Sequence, residues 1–401
     1  MNKYALAFIF MTSLMDSIGF GIILPILPSL LMEISGEDLS ASVIYGGWLT
    51  FVFAFMQFLC APIIGNLSDR FGRRPVLLLS LFVVGVNYLI MGFALSLVAL
   101  FIGRMISGAA SSTMSTCNAY VADITPVAQR AQNFGLIGAG FGMGFVIGPV
   151  IGGLLGEYGP RVPFFAAGII SFLNMGFGFF VLKESLALKD RRKLDLKRAN
   201  PIGTLLQLKA FPLVIGMMIV MFIYNMGHHV LPSIWSFYGI EKFSWSPREI
   251  GYSLGFIGIL MVLVQGFLIR WIIPKTGLRW AGIIGMSFTM IAFLGYSFAT
   301  ESWMMYIAMM PGALGALAGP AMQGIATSQV GPNQQGELQG GLSSMMSLTS
   351  IISPVVMTQT FGIFTSKAAP IYFPGASFAL AAVLTLLAVL LFAKVTVNIK
   401  Q

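Results

Sequence analysis

The chain has 401 residues, of which 57% are hydrophobic and only 9% charged. A soluble domain carries roughly 25% charged residues, so this chain has too little charge to cover even one water-facing domain. Lipid is the solvent that fits, and the formal net charge of +9 then calls for a reading other than a nucleic-acid surface.

A helix crosses the hydrocarbon core with roughly 20 apolar residues. Runs of that length follow one another near 4–31, 43–66, 76–97, 98–121, 132–156 and 162–183. After a charged interval come further runs near 211–237, 248–273, 278–299, 303–328, 337–364 and 371–394. Inside lipid every backbone N–H needs a partner within its own segment, so these spans are expected to be helices. The expected fold is all-α and integral to the membrane, with twelve transmembrane helices. The first span follows Lys3 and lacks a small-residue cleavage site, so it reads as a retained helix rather than a removed signal peptide. Cys60 and Cys117 fall within spans and read as small apolar packing residues rather than a disulfide.

The charge is distributed by side. With both termini placed in the cytoplasm, 18 of the 23 Lys and Arg fall on the inner side, among them Lys3, Arg70, Arg130, Arg270 and Lys394. Arg161, Lys242, Arg248 and Lys367 fall outside, and Arg104 lies within a span. That asymmetry follows the positive-inside rule and would violate it if reversed. The basic residues are scattered over short loops on one side, so they report topology and exclude a nucleic-acid patch. The longest polar interval, Lys183 to Lys209, holds eight basic and three acidic residues. It divides the chain into a first six-helix half, 1–183, a cytoplasmic linker, 184–209, and a second half, 210–401.

The halves repeat one another. Gly72 and Arg74 meet Gly277 and Arg279 at an offset of 205, and Pro149 meets Pro354 at the same offset. Pro126 and Gln129 meet Pro332 and Gln335 at 206. Matches at one offset near half the length indicate a duplicated six-helix unit in parallel orientation. Halves related by an axis along the membrane normal are a transporter architecture. No nucleophile–base set, metal cluster or phosphate loop is legible, which argues against an enzyme, and no cofactor is called for.

Four groups of residues carry chemistry. After the second span comes Gly65-Asn66-Leu67-Ser68-Asp69-Arg70-Phe71-Gly72-Arg73-Arg74, expected as a loop. Gly65 and Gly72 would allow tight turning and close helix approach, while Asp69 could cap a helix end or pair with Arg70, Arg73 or Arg74. In the fifth span, small residues including Gly144, Gly148 and Gly152 recur at four-residue spacing and make a smooth face, with Pro149 weakening the backbone ladder. Asp16 and Arg104 are charges deep within spans, where each costs about 2.5–3.5 kcal/mol and needs a reason. His228 and His229 stand mid-span in the seventh helix; neighbours on a helix point about 100° apart, so at most one faces the cavity squarely, as a candidate substrate or proton ligand, with a hydrogen-bonded packing role as the competing reading. A metal site there lacks carboxylate or thiolate partners. Gln57, Asn118, Gln265 and Gln323 offer neutral hydrogen bonds within spans. With Trp235 and the Phe and Met residues they describe an apolar cavity with a few polar anchors.

The motif from Gly65 to Arg74 resembles the inner-loop signature of the major facilitator superfamily. More narrowly, the chain resembles the tetracycline-exporter branch of its drug–proton antiporters. Arg104-Met105-Ile106-Ser107-Gly108 is similar to the coupling-arginine motif of the fourth helix. The stretch from Gly138 to Gly153 is similar to the fifth-helix motif of antiporters. Met15-Asp16-Ser17-Ile18-Gly19-Phe20-Gly21, with Pro25 and Pro28, resembles the first helix of the tetracycline exporters, and Gln334 to Gly340 resembles the start of their eleventh.

The resemblance implies a monomeric, proton-coupled efflux transporter of a small amphipathic molecule in the bacterial inner membrane, working by alternating access. The loop would latch the halves on the cytoplasmic side. Helices one and four would line the cavity, so Asp16 would bind the proton and Arg104 would tune it, a static ion pair being the competing reading. A proton-coupled or facilitative importer of a sugar-like solute is the alternative for the whole. The chain also departs from the branch. Where tetracycline exporters carry acids in helices three and nine and a histidine in helix eight, it has Asn87, Thr289 and Met261, which leaves the substrate open.

Overall fold

The computed structural model describes residues 3–110, 113–126, 129–191, 212–331 and 335–397. Arg192 to Lys209 of the predicted linker, and Pro332 and Gln334 of the repeat and eleventh-span motifs, lie outside the described residues. Among the described residues the chain is helical throughout.

The first predicted span is two helices rather than one, α1 (Lys3–Ile23) and α2 (Leu27–Ser35). Pro25 sits in the turn between them, where it has no N–H to continue the ladder, and Pro28 occupies the first turn of α2, where a missing N–H costs nothing. Gly36, at φ 69°, closes α2 in the left-handed region. Then come α3 (Leu39–Phe71) and α4 (Arg73–Phe93), with α5 (Leu97–Ala110) and α6 (Thr113–Ile124) as the fourth span. The fifth and sixth spans are α7 (Arg130–Gly156), which continues through Pro149, and α8 (Val162–Val181).

The seventh span is also broken, into α9 (Pro212–His228) and α10 (Val230–Phe243). Pro232 cannot donate to the His228 carbonyl four residues back. The Ser233 hydroxyl donates instead to the His229 carbonyl at 2.6 Å. The eighth span is α11 (Pro247–Leu263) followed by a π turn at Val264–Leu268. α12 (Ile269–Phe298) is divided by Gly277 (φ 73°, ψ 164°), and this residue marks the passage from the eighth span to the ninth. The tenth span is α13 (Ser302–Leu314), a 3-10 turn at Gly315–Leu317 and α14 (Ala318–Ser328). α15 (Gln335–Thr365) and α16 (Ala376–Val395) complete the set of twelve crossings.

Contacts group the chain into two compact units. One comprises Met1–Asp38, Leu49–Ala199 and Trp245–Gly255; the other comprises Leu39–Trp48, Asn200–Ser244 and Phe256–Gln401. In the first unit α7 lies on α1 through its glycines. A methyl group at Gly140 would stand 2.9 Å from the Phe10 carbonyl and one at Gly148 2.8 Å from that of Ile18. Gly144 and Gly152 meet the Leu14 and Ile22 carbonyls more closely still. Positions 140, 144, 148 and 152 thus face 10, 14, 18 and 22 turn for turn, backbone against backbone, as small residues permit in lipid. The second unit centres on aromatic rings, with Tyr238 and Phe378 4.9 Å apart and Trp235 edge-on to Tyr296 at 5.2 Å.

Candidate substrate and proton site

The glycine packing fixes α1, and α1 carries Asp16. In the first unit a cavity of about 620 Å³ is lined by both Asp16 and Arg104, together with Gln57 and Asn118. Its volume suits a drug-sized molecule. Most of the rest of the wall is apolar, with Met15, Phe20, Phe53, Phe134 and Phe141. Of the seven residues assigned from sequence to a substrate cavity, Gln57 and Asn118 are in this wall. The other five belong to the second unit.

Asp16 and Arg104 share the cavity without forming an ion pair, so the static pair is not what the structure contains. Arg104 is only 8% exposed. Its guanidinium lies 5.9 Å from the centre of the Phe53 ring, an attractive placement for a cation over a π face. Its Nε has no hydrogen-bond partner among the described residues.

Tyr88 is a wall residue that belongs to none of the sequence motifs. Its hydroxyl fills the space above Gly19, one turn beyond Asp16, where a Cβ would lie 2.5 Å away. The signal was the glycine itself, an unexplained gap on the helix that bears the carboxylate. Asn87, beside it, is fully buried and donates to the Ser107 hydroxyl and to the Met91 sulfur. The neutral residue at this departure from the exporter pattern is therefore held on α5, the helix of Arg104.

The second unit gathers neutral polar groups. Tyr224 and Thr289 hydroxyls are 3.2 Å apart, and Thr289 also donates to the Gly285 carbonyl and abuts Gly315 at the break in the tenth span. The His228 ring lies 5.7 Å from that of Tyr224. His229 Nε2 is 3.2 Å from the Ser350 hydroxyl of α15. The two histidines thus reach different neighbours, as their spacing requires. Trp235 is buried against Tyr296 and Phe378. Met261 is partly buried, whereas Gln265 and Gln323 are exposed, the latter 3.4 Å from Gln339. No three of His, Cys, Asp and Glu come together as a metal site among the described residues.

The motif after the second span is not the loop the sequence led us to expect. Gly65 to Phe71 are the last two turns of α3, held by the Ser68 hydroxyl on the Gly65 carbonyl at 2.9 Å and Asn66 on that of Pro62 at 3.0 Å. Gly65 admits no close neighbour, since a methyl there would meet nothing. Gly72 makes the whole turn at φ 107°. Asp69 caps nothing among the described contacts and instead pairs with Arg73 at 2.6 Å; Arg73 also reaches Asp123 at 3.2 Å. Glu184, unnoticed in the sequence, accepts from the backbone N–H groups of Arg73 and Arg74 at 2.8 and 3.3 Å, an anion on the positive end of α4. Arg74 donates to the Phe179 carbonyl at 2.8 Å, while Arg70 is exposed over the Phe71 ring. All of these partners belong to the first unit.

Twelve crossings, with buried charges opening onto an apolar cavity, define a membrane transporter. The sequence profile of the Major Facilitator Superfamily matches residues 9–300 and again 240–400. The chain is 38% identical over 360 residues to the class C tetracycline resistance protein of Escherichia coli, covering 90% of each. It is 28% identical to multidrug resistance protein 2 of Bacillus subtilis (strain 168), over 84% of each chain. The crystal structure of the human organic anion transporter MFSD10 matches with a TM-score of 0.72 at 25% identity, covering 98% of this chain and 99% of that one. The chain belongs to the Major Facilitator Superfamily: it is a multi-pass membrane transporter of small molecules and not an enzyme.

Proposed function

We propose that this chain exports a small amphipathic drug, tetracycline-like or otherwise, in exchange for protons. The observation that carries the reading is the placing of Asp16 and Arg104 on one apolar cavity without an ion pair between them. A carboxylate left without a fixed partner can gain and lose a proton as its surroundings alternate, and Arg104 sets the field in which it does so. Deprotonated Asp16 favours substrate, and a proton arriving from outside displaces it. The names of the relatives, tetracycline and multidrug resistance proteins, support export.

In this reading the chain is a monomer in the bacterial inner membrane with both termini in the cytoplasm, as the Lys and Arg distribution requires. The halves divide at the 184–209 segment and rock about the substrate. The Arg73 cluster holds the inner end of the first half, from which a cytoplasmic latch can form. His228, His229 and Thr289 shape the second half's contribution. Asn87, Met261 and Thr289 put no charge on the cargo, so a neutral or singly charged compound suits the site better than a multiply charged one.

The test is a panel of compounds added to everted vesicles holding an imposed pH gradient. A substrate dissipates the gradient on addition, and Asp16→Asn abolishes that response. Proton-coupled transport at the original rate in Asp16→Asn would overturn the assignment. Uptake with the gradient into right-side-out cells would favour the importer instead.

A further inference from the structure

The turn at Gly277 repeats the turn at Gly72 one half later, and the two are furnished differently. At Gly72 the cations Arg73 and Arg191 meet Asp69, Asp123 and Glu184 within the same unit, and Glu184 also accepts from the backbone N–H of Arg74. At Gly277 the position one repeat after Asp69 is Pro274, and the position one repeat after Glu184 is Val389. From residue 250 to 300 there is no acid at all. Glu241, Glu249 and Glu301 belong to the opposite ends of their helices. Glu337, whose side chain lies outside the described residues, is the single carboxylate of residues 212–397 at this end.

Against it stand four cations. Arg270 and Lys275 are on the last turns before Gly277, and Arg279 is on the first turn after it. Lys394 is two residues beyond Phe392, whose ring fills the space left by Gly282. Arg270, Lys275 and Arg279 form no ion pair among the described residues, and Arg279 Nε has no hydrogen-bond partner. Two of the cations are backed by indole rings. Lys275 Nζ stands 4.4 Å from the centre of the Trp271 ring, and the Arg279 guanidinium stands 5.8 Å from that of Trp280. Both tryptophans face outward, Trp271 73% and Trp280 51% exposed, and Phe267, 69% exposed, extends the apolar surface along the helix towards the membrane core.

We propose that Arg270, Trp271, Lys275, Arg279 and Trp280 seat the phosphate headgroup of an anionic phospholipid. Where the first half supplies its own carboxylates, the second draws an anion from the bilayer. Unscreened cations at the end of a span attract anionic headgroups, and tryptophan settles at headgroup depth with its ring toward the acyl chains. A soluble anion would satisfy the cations but leaves the exposed Phe267–Trp271 surface without a purpose. The acyl chains of a lipid cover it.

The full chain in detergent would be titrated with phosphatidylglycerol brominated on its acyl chains, and separately with phosphatidylcholine brominated in the same way, while tryptophan fluorescence is followed. The signal of Trp271 and Trp280 is isolated by difference from W271F and W280F. Phosphatidylglycerol should quench it at a concentration about ten-fold lower than phosphatidylcholine. The triple variant R270Q/K275Q/R279Q should lose that preference and K275Q alone should lose part of it. Equal quenching by the two lipids on the unaltered chain overturns the proposal, and so does a preference that survives in the variants. Relief of quenching by millimolar inorganic phosphate would make this a soluble-anion site and overturn it as well. None of these readings depends on transport, so they stand or fall apart from the export assignment.

Discussion

The two units solve the problem of polarity in lipid in opposite ways. The first keeps a full carboxylate and a full guanidinium on an open cavity, with Phe53 rather than an acid beside Arg104. In the second, neutral polar groups bond to one another: Tyr224 to Thr289, His229 to Ser350 and Asn225 to the Met221 carbonyl. A buried polar group with a partner is quiet, and a buried charge without one responds to whatever enters. The comparison puts response in the first unit and shape in the second.

The largest effect should come from Asp16→Asn, which keeps the side chain's volume and removes its titration. Proton-driven accumulation in everted vesicles should fall to background, and substrate should bind the purified protein more weakly, since the amide stands in for the protonated side chain. Next come the glycines that hold α1. Gly148→Ala places a methyl 2.8 Å from the Ile18 carbonyl and should cost about 1–3 kcal/mol by overpacking. Thermal unfolding in detergent measures it, with Gly142→Ala as the control, since a methyl there meets nothing. Arg104→Lys retains the charge and loses the planar face over Phe53, worth about 0.5–2 kcal/mol. It should raise KM for substrate more than it lowers the maximal rate. The smallest effect belongs to the second unit. Thr289→Val removes the partner of Tyr224 and should cost about 1 kcal/mol of stability without altering proton stoichiometry. A change in coupling from Thr289→Val, or none from Asp16→Asn, would erase the contrast between the units.

Much of this was legible in the sequence because lipid imposes a simple rule. Length and apolarity marked the crossings, and the offset of 205 paired Gly72 with Gly277, which both adopt positive φ. Asp16 and Arg104 stood out because charge is so rare in these helices. What escaped was whatever depends on three dimensions. The breaks at Pro25 and His229 lie inside continuous apolar runs, where hydropathy does not register a lost hydrogen bond. The end of α3 reads as a loop because Gly65, Asn66, Ser68 and Asp69 are turn formers elsewhere; here the Asn66 and Ser68 side chains bond back to helix carbonyls and Asp69 pairs with Arg73. Tyr88 and Glu184 belong to no motif, and only packing brings them to Gly19 and to the start of α4.

The glycine ladder between α7 and α1 has a mechanical consequence. Two helices in contact at every turn along four turns bend and tilt as one beam, with no room for one to slide or roll on the other. Asp16 therefore cannot change its exposure by a local twist of its own helix; it changes address only when the whole beam swings. The open face of that beam, at Gly142, offers a place for a spectroscopic label that would follow the carboxylate's journey without touching it.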